Sequence, residues 1–190
     1  MIGKTAGAMC LDLLEFYPEI SHLHFAQYTP APPVSDATTA VGLHRRLRHA
    51  QGIICRDAVL RGDVAGYLEA RDANHVPGTS LSVCSSVTVA GQTRHIAMVD
   101  FQTGAMIEDI VEGMRRIAER GVVIESTRSF HYYGTALLDG AAWRRFMGWS
   151  LLLDHIVDAR WVGHCLIEGE CALRVSRDSA GAFPKVHAMF

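Results

Sequence analysis

The spacing of apolar residues changes several times along this chain, and each change marks an element. Residues 8–20 (AMCLDLLEFYPEI) carry apolar side chains at helical intervals and predict a short amphipathic helix that stops at Pro18. SHLHFAQY (21–28) alternates well enough for a strand. TPAPPVSD (29–36) reads as a proline-rich linker, with Asp36 placed to cap a helix through AVGLHRRLRH (40–49). A further helix is expected near 56–70. At residue 79 the texture shifts. TSLSVCSSVTV, an AGQT turn and RHIAMVDF predict an antiparallel hairpin whose second strand is buried. Residues 105–120 have apolar positions at Met106, Ile107, Ile110, Val111, Met114 and Ile117, which is helical spacing, with Gly121 as the expected stop. GVVIES and SFHYYGT predict two strands joined at Thr127 and Arg128. AAWRRFMGWSLLL predicts a second helix with Trp143, Phe146, Met147, Trp149 and Leu151 facing the core. ALRVS and PKVHAMF close the chain as strands.

From residue 79 onward the order is β-β-α-β-β-α-β-β. A helix after each hairpin gives an α+β fold with a largely antiparallel sheet and helices on one face, close to the RNA-recognition-like palm layout. The expected organisation is therefore a mainly helical N-terminal extension with one strand (1–78), followed by a palm domain (79–190).

Composition narrows the function classes. With 190 residues, 49% of them hydrophobic, the chain can bury one good core. Its net charge is -2, so any nucleic-acid-binding face must be local rather than global. Only Lys4 and Lys185 are lysines; the other basic residues are arginines, which suit planar contacts to phosphate or carboxylate, although a genomic GC bias yields the same skew. Five cysteines without a C-x-x-C pair argue against a disulfide framework and a zinc ribbon. No signal peptide opens the sequence and no apolar run reaches membrane-spanning length, so a soluble, cytoplasmic protein is expected. Neither a P-loop, a G-x-G-x-x-G nor a G-x-S-x-G elbow is present.

Three places share a chemical logic. HIAMVDFQ ends a buried strand in Asp100, with Gln102 on the same face by period-two alternation. A carboxylate at the end of a central strand is a good ligand for a hard cation. Arg128-Ser129-Phe130-His131 opens a strand with Ser129 and His131 on one face, both able to hydrogen-bond phosphate oxygens. Asp158 follows the second helix and precedes Arg174, adding a second carboxylate and another guanidinium. Carboxylates for Mg²⁺ or Mn²⁺, with His, Ser and Arg for a triphosphate, are the parts that phosphoryl transfer needs.

VDFQ, SFH and VDARWVGHCLIEGECALRVS together resemble the three motifs of the archaeo-eukaryotic primase (primase-polymerase) superfamily, over about residues 90–190. Those motifs are an apolar strand ending in acid-x-acid, then S-x-H, then an apolar residue and Asp. SFHYYG, the tryptophan helix and WVGH…LRVS are closest to the bacterial primase 1D-like proteins. The resemblance implies a divalent-metal-dependent nucleotidyltransferase acting on NTPs or dNTPs in DNA replication or repair. It places metal on Asp100 and Asp158, and the nucleotide's phosphates on Ser129 and His131, with Arg174 and Arg128 beside them. It also implies single-stranded or primer-template nucleic acid and protein partners. The departure is Gln102, where the motif has a second acid; as a metal ligand, a neutral amide is weak. Glu125 and Asp139 are the carboxylates that could compensate in space. The zinc-binding and helicase companions of working primases are missing from this sequence. The alternative reading is thus a catalytically degenerate module that binds a nucleotide or nucleic acid and works through partners, or one that only contacts proteins.

Blander roles compete at each position. Asp100 could be a strand-end turn carboxylate, Asp158 a helix cap or a partner of Arg160, Gln102 an orienting residue, and Arg174 a cover for the sheet. His95 and His164 read as structural, and Trp143, Phe146 and Trp149 as core. His22-Leu-His24 raises one rival, the histidine metal pair of rolling-circle nicking enzymes, with Tyr132 or Tyr133 as nucleophile. HRRLRH (44–49) fits a solvated helix face or a nucleic-acid contact equally well.

Overall fold

A computed structural model describes residues 2–29, 47–55, 80–118, 120–153, 155–177 and 181–190. Helix α1 (Ala6–Phe16) leads into strand β1 (Ile20–Thr29), and β2 (Leu47–Cys55) follows. Then come β3 (Ser80–Val89), β4 (Gln92–Asp100), α2 (Ile107–Ile117), β5 (Gly121–Glu125) and β6 (Phe130–Leu138). Helix α3 (Gly140–Ser150) runs into a 3₁₀ turn (Leu151–Leu153), followed by α4 (Ala159–Glu168), β7 (Ala172–Arg174) and β8 (Lys185–Met189).

The strands form one eight-stranded sheet in the order β2-β1-β3-β4-β6-β5-β8, with β7 paired to β3. Every pairing is antiparallel. The β3–β4 hairpin is joined only over Ser86–Val89 and Gln92–His95; nearer its open end β7 takes β4's place, pairing with Ser82–Cys84. This wedge brings Arg174, at the end of β7, to the same end of the sheet as Asp100.

Three expectations are corrected. Residues 47–49 of the anticipated helix 40–49 belong to strand β2, because pairing along β1 overrides the helical spacing of a charged run. The first third therefore supplies two strands to the sheet as well as one helix. The proline-rich segment from residue 30, Asp36 and the helix near 56–70 lie outside the described residues. Helix α4, absent from the sequence reading, occupies 159–168. Lastly, Gly121 does not stop α2, which ends at Ile117 with Ala118 as its extended cap.

Gly121 has a packing role instead. It lies opposite Gly134 on β6, and a Cβ on it would overlap the Tyr132 ring. A Cβ on Gly134 would stand 2.9 Å from that of Ala97. The two glycines thus form a slot in which Tyr132 lies flat, stacked on Phe190 and tilted against Phe146, its hydroxyl donating to the Arg120 carbonyl at 2.7 Å. Trp143, Trp161, Tyr132 and Tyr133 are the largest fully buried side chains, and His95 stacks on Trp143 as a structural histidine. Trp149 departs from its expected core position and is 48% exposed. Cys10, Cys84, Cys165 and Cys171 are buried and take part in no disulfide.

Candidate active site

The ends of four elements meet where β4 finishes. Asp100 and His131 are direct cross-strand partners on β4 and β6, so their side chains share a face. His131 Nε2 stands 3.6 Å from Asp100 Oδ1. Beyond Asp100 the chain keeps pairing for two residues, now with the segment before α4: the Gln102 amide donates to the Ile156 carbonyl at 2.8 Å. The Asp158 amide donates to the Asp100 carbonyl at 3.1 Å. One backbone hydrogen bond therefore sets the two candidate acids side by side.

Each acid has its own support. Asp100 is half-buried, its side chain 22% exposed. Asp158 is the N-cap of α4, and its Oδ1 accepts the amides of Arg160 and Trp161 at 3.0 and 3.1 Å. The capping role anticipated for it is real, and it fixes the side chain without using Oδ2. Gln102 is exposed and its Nε2 donates to the Val157 carbonyl at 3.0 Å, tying the strand-end segment to the loop that carries Asp158. That bond needs an amide and could not be made by a carboxylate.

His131 is buried, and burial first, then the nearby Arg174 charge, pushes its imidazole down to about 3. It is neutral at pH 7, and its Nδ1 has no hydrogen-bond partner among the described residues. Arg174 donates to the Ser176 carbonyl at 3.0 Å. Ser129 closes a tight turn in which the Ser126 amide and hydroxyl both donate to its carbonyl, at 2.8 and 2.9 Å; the two hydroxyls are 3.1 Å apart. Arg128, on the same turn, is exposed.

Two further residues belong to the site: Tyr133, anticipated only as a nicking nucleophile, and Ser126, not anticipated at all. Tyr133 shares the His131 face, and its hydroxyl is buried without a hydrogen-bond partner among the described residues. Burial, then Cys10 and Asp100, hold that hydroxyl well above its ordinary range. The alternation that pairs Ser129 with His131 also reaches Tyr133, so the signal was present. Ser126 orders the turn, and nothing in its position along the chain announced that.

The compensating acids are elsewhere. Asp139 caps α3 at the far end of β6, accepting the Ala141 and Ala142 amides, while Glu125 accepts from His187 at 3.2 Å. Among the described residues no group of three or more His, Cys, Asp or Glu side chains could hold a metal ion. The nicking-enzyme arrangement also fails. His24 engages Ser86 and Thr88 through its two ring nitrogens, and the pair sits beside the β3–β4 turn, away from Asp100. The Tyr132 and Tyr133 hydroxyls are both buried in the core, where no incoming strand can reach them.

No curated protein shows significant sequence similarity to the chain. The fold is similar to that in the "Crystal structure of the catalytic domain of primase Repb' in complex with initiator DNA", with a TM-score of 0.58 at 14% identity, covering 96% of this chain and 84% of that one. No helix among the described residues is long and apolar enough to cross a membrane. The archaeo-eukaryotic primase 1D-like family model matches residues 66–187, a span that holds Asp100, the Ser129–His131 turn, Asp158 and Arg174, and the chain belongs to that family.

Proposed function

We propose that this protein is a primase-polymerase-type nucleotidyltransferase that uses NTPs or dNTPs at the Asp100–His131–Asp158 centre. The observation that carries this reading is the Asp158 amide bonded to the Asp100 carbonyl, with His131 directly across the sheet from Asp100. Two carboxylates fit one hard cation, because Mg²⁺ is commonly held by one or two protein carboxylates and completed by water and substrate phosphates. Asp100 and Asp158 would hold it, and Gln102 would support them through Val157 rather than serve as a ligand in its own right. Bound there, Mg²⁺ or Mn²⁺ would supply charge neutralisation for transfer of a nucleotidyl group.

The protein's own groups do the remaining work. Neutral His131 can donate one N–H to a phosphate oxygen, and Ser129 can offer its hydroxyl from the turn. Arg128 and Arg174 offset the triphosphate's charge. Template-directed extension in the presence of Mg²⁺ or Mn²⁺, lost in Asp100→Ala with the fold intact, is the expected result. Absence of any product with either metal would exclude the enzyme reading.

A second reading, a nucleotide-binding module without turnover that acts through protein partners, is favoured by one observation. The Gln102 amide is built into the backbone of the Asp158 loop, which leaves the site with two acids. It predicts thermal stabilisation by nucleotide without product, and loss of that stabilisation in His131→Ala.

A further inference from the structure

Three sulfur atoms from three different segments meet in the core, and none belongs to the palm centre. Cys165 lies in the last turn of α4, Cys171 follows the left-handed cap Gly169, and Met147 is buried on α3. The Cys171 Sγ stands 3.7 Å from Met147 Sδ, and the Cys165 thiol is within hydrogen-bonding reach of Cys171. All three residues are at most 5% exposed. The backbone of Cys171 is fixed on both sides: its amide donates to Ser85 Oγ at 2.9 Å, and its carbonyl accepts the Ser85 amide at 2.8 Å. Burial above all, then Cys165, keeps the Cys171 thiol well above its ordinary range. The Ser85 hydroxyl and the Trp143 indole N–H act on it in the opposite direction. That indole is 1% exposed, and its N–H makes no hydrogen bond among the described residues. A buried donor facing an uncharged sulfur gains little, whereas the same donor facing a thiolate makes a charge-assisted hydrogen bond.

We propose that Cys165, Cys171 and Met147 form a site for a soft monovalent metal ion, Cu(I), held by two thiolates and a thioether. Sulfur ligands of both kinds select Cu(I), whereas structural Zn²⁺ takes four ligands drawn from thiolate, imidazole and carboxylate. Among the described residues no such group of three or more His, Cys, Asp or Glu side chains exists. A metal–sulfur bond of about 2.3 Å in a trigonal plane sets the sulfurs about 4 Å apart, close to the spacing that Cys171 and Met147 already have. Binding releases both thiol protons, so the ion and its two thiolates together carry a single negative charge. The Trp143 N–H and the Ser85 hydroxyl face that charge and offset its burial. The ion ties α3, α4 and the start of β7 together, and α4 is capped by Asp158 while β7 ends at Arg174. The site itself assumes nothing about catalysis at the palm.

The test is an anaerobic titration of the full reduced chain into Cu(I) held by bicinchoninate. The chelator's colour reports transfer of the ion, and circular dichroism reports the fold. The wild-type chain should take up a single equivalent of Cu(I) and melt at a higher temperature with it. Cys171→Ser should abolish the transfer. Met147→Leu conserves volume and apolarity, so the fold is kept, and affinity should fall about tenfold or more. Trp143→Phe keeps a ring but loses the N–H, and should also weaken binding about tenfold. Cys10→Ala and Cys84→Ala should bind as the wild type does. Absence of transfer to the wild-type chain, wild-type affinity in any of the first three variants, or an equal loss in the last two would overturn the site.

Discussion

His131 is an imidazole enclosed by protein with an arginine for a neighbour, and both conditions disfavour its charged form. Its folded-state value of about 3 lies below the ordinary 6.5, so between those values the unfolded chain binds a proton that the folded chain refuses. Stability therefore falls as pH drops from about 6.5 towards 3, with a slope on the order of 1.4 kcal/mol per pH unit from this residue. His95, also lowered by burial, adds in the same direction. Denaturant melts of wild type and His131→Gln across this range should show the shallower acid dependence in the variant; parallel curves would contradict the burial argument. A second test concerns Gln102. Replacing it by Glu removes the donor to Val157 and sets a carboxylate against a carbonyl, which should cost about 1 kcal/mol or more. The same change adds a third acid beside Asp100, so Mn²⁺ affinity measured by calorimetry should rise while the melting temperature falls. At this scale the sequence was informative where alternation governs. Asp100 and His131 share a face as strand geometry requires. The Gln102–Val157 bond depends on a crossing segment that no local spacing encodes.

Elements were legible where their apolar period was uninterrupted, as in α2, α3 and β3 to β6. Helix α4 carried its own signals, Asp158 at the N-cap, Trp161, Val162 and Cys165 on one face, and Gly169 in the left-handed C-cap. The same residues carry the third motif. Strand β2 was misread because β1 decides its conformation. The pairing of β5 with β6 offers an element-level test through the glycine slot. Gly121→Ala forces its Cβ into the Tyr132 ring, and the ring is held by Phe190, Phe146 and the Arg120 carbonyl. Overpacking of this kind typically costs about 1–3 kcal/mol. Tyr132→Leu removes the obstructing ring, so the double variant should lose less stability than the two single losses combined. Simple additivity in denaturant melts would show that the slot does not govern the packing.

Across the whole molecule, the sheet ignores the change in sequence texture at residue 79. Strand β3, which opens the anticipated palm, pairs along most of its length with β1 from the first third of the chain. Residues from α1 and β1, including Met9, Cys10, Leu14, Leu23 and Phe25, belong to the same buried cluster as Ile96, Met98, Tyr132 and Trp143. Thr5, just before α1, also forms an isolated bridge to Lys185 on β8, so the first residues described run beside the sheet's far edge. A fragment spanning 79–190 would lose the partner of a central strand and expose the apolar side chains that α1 and β1 now cover. Each large apolar side chain so uncovered forfeits about 1.5–3 kcal/mol, and a domain's whole margin is only about 5–15 kcal/mol. We expect that fragment to show no cooperative thermal transition, and addition of a separate 1–78 chain to restore one. A cooperative melt by 79–190 alone would instead establish the palm as an independent unit. In that case the Asp100–His131 pair should keep its geometry without the first third, and nucleotide stabilisation of the fragment would measure it.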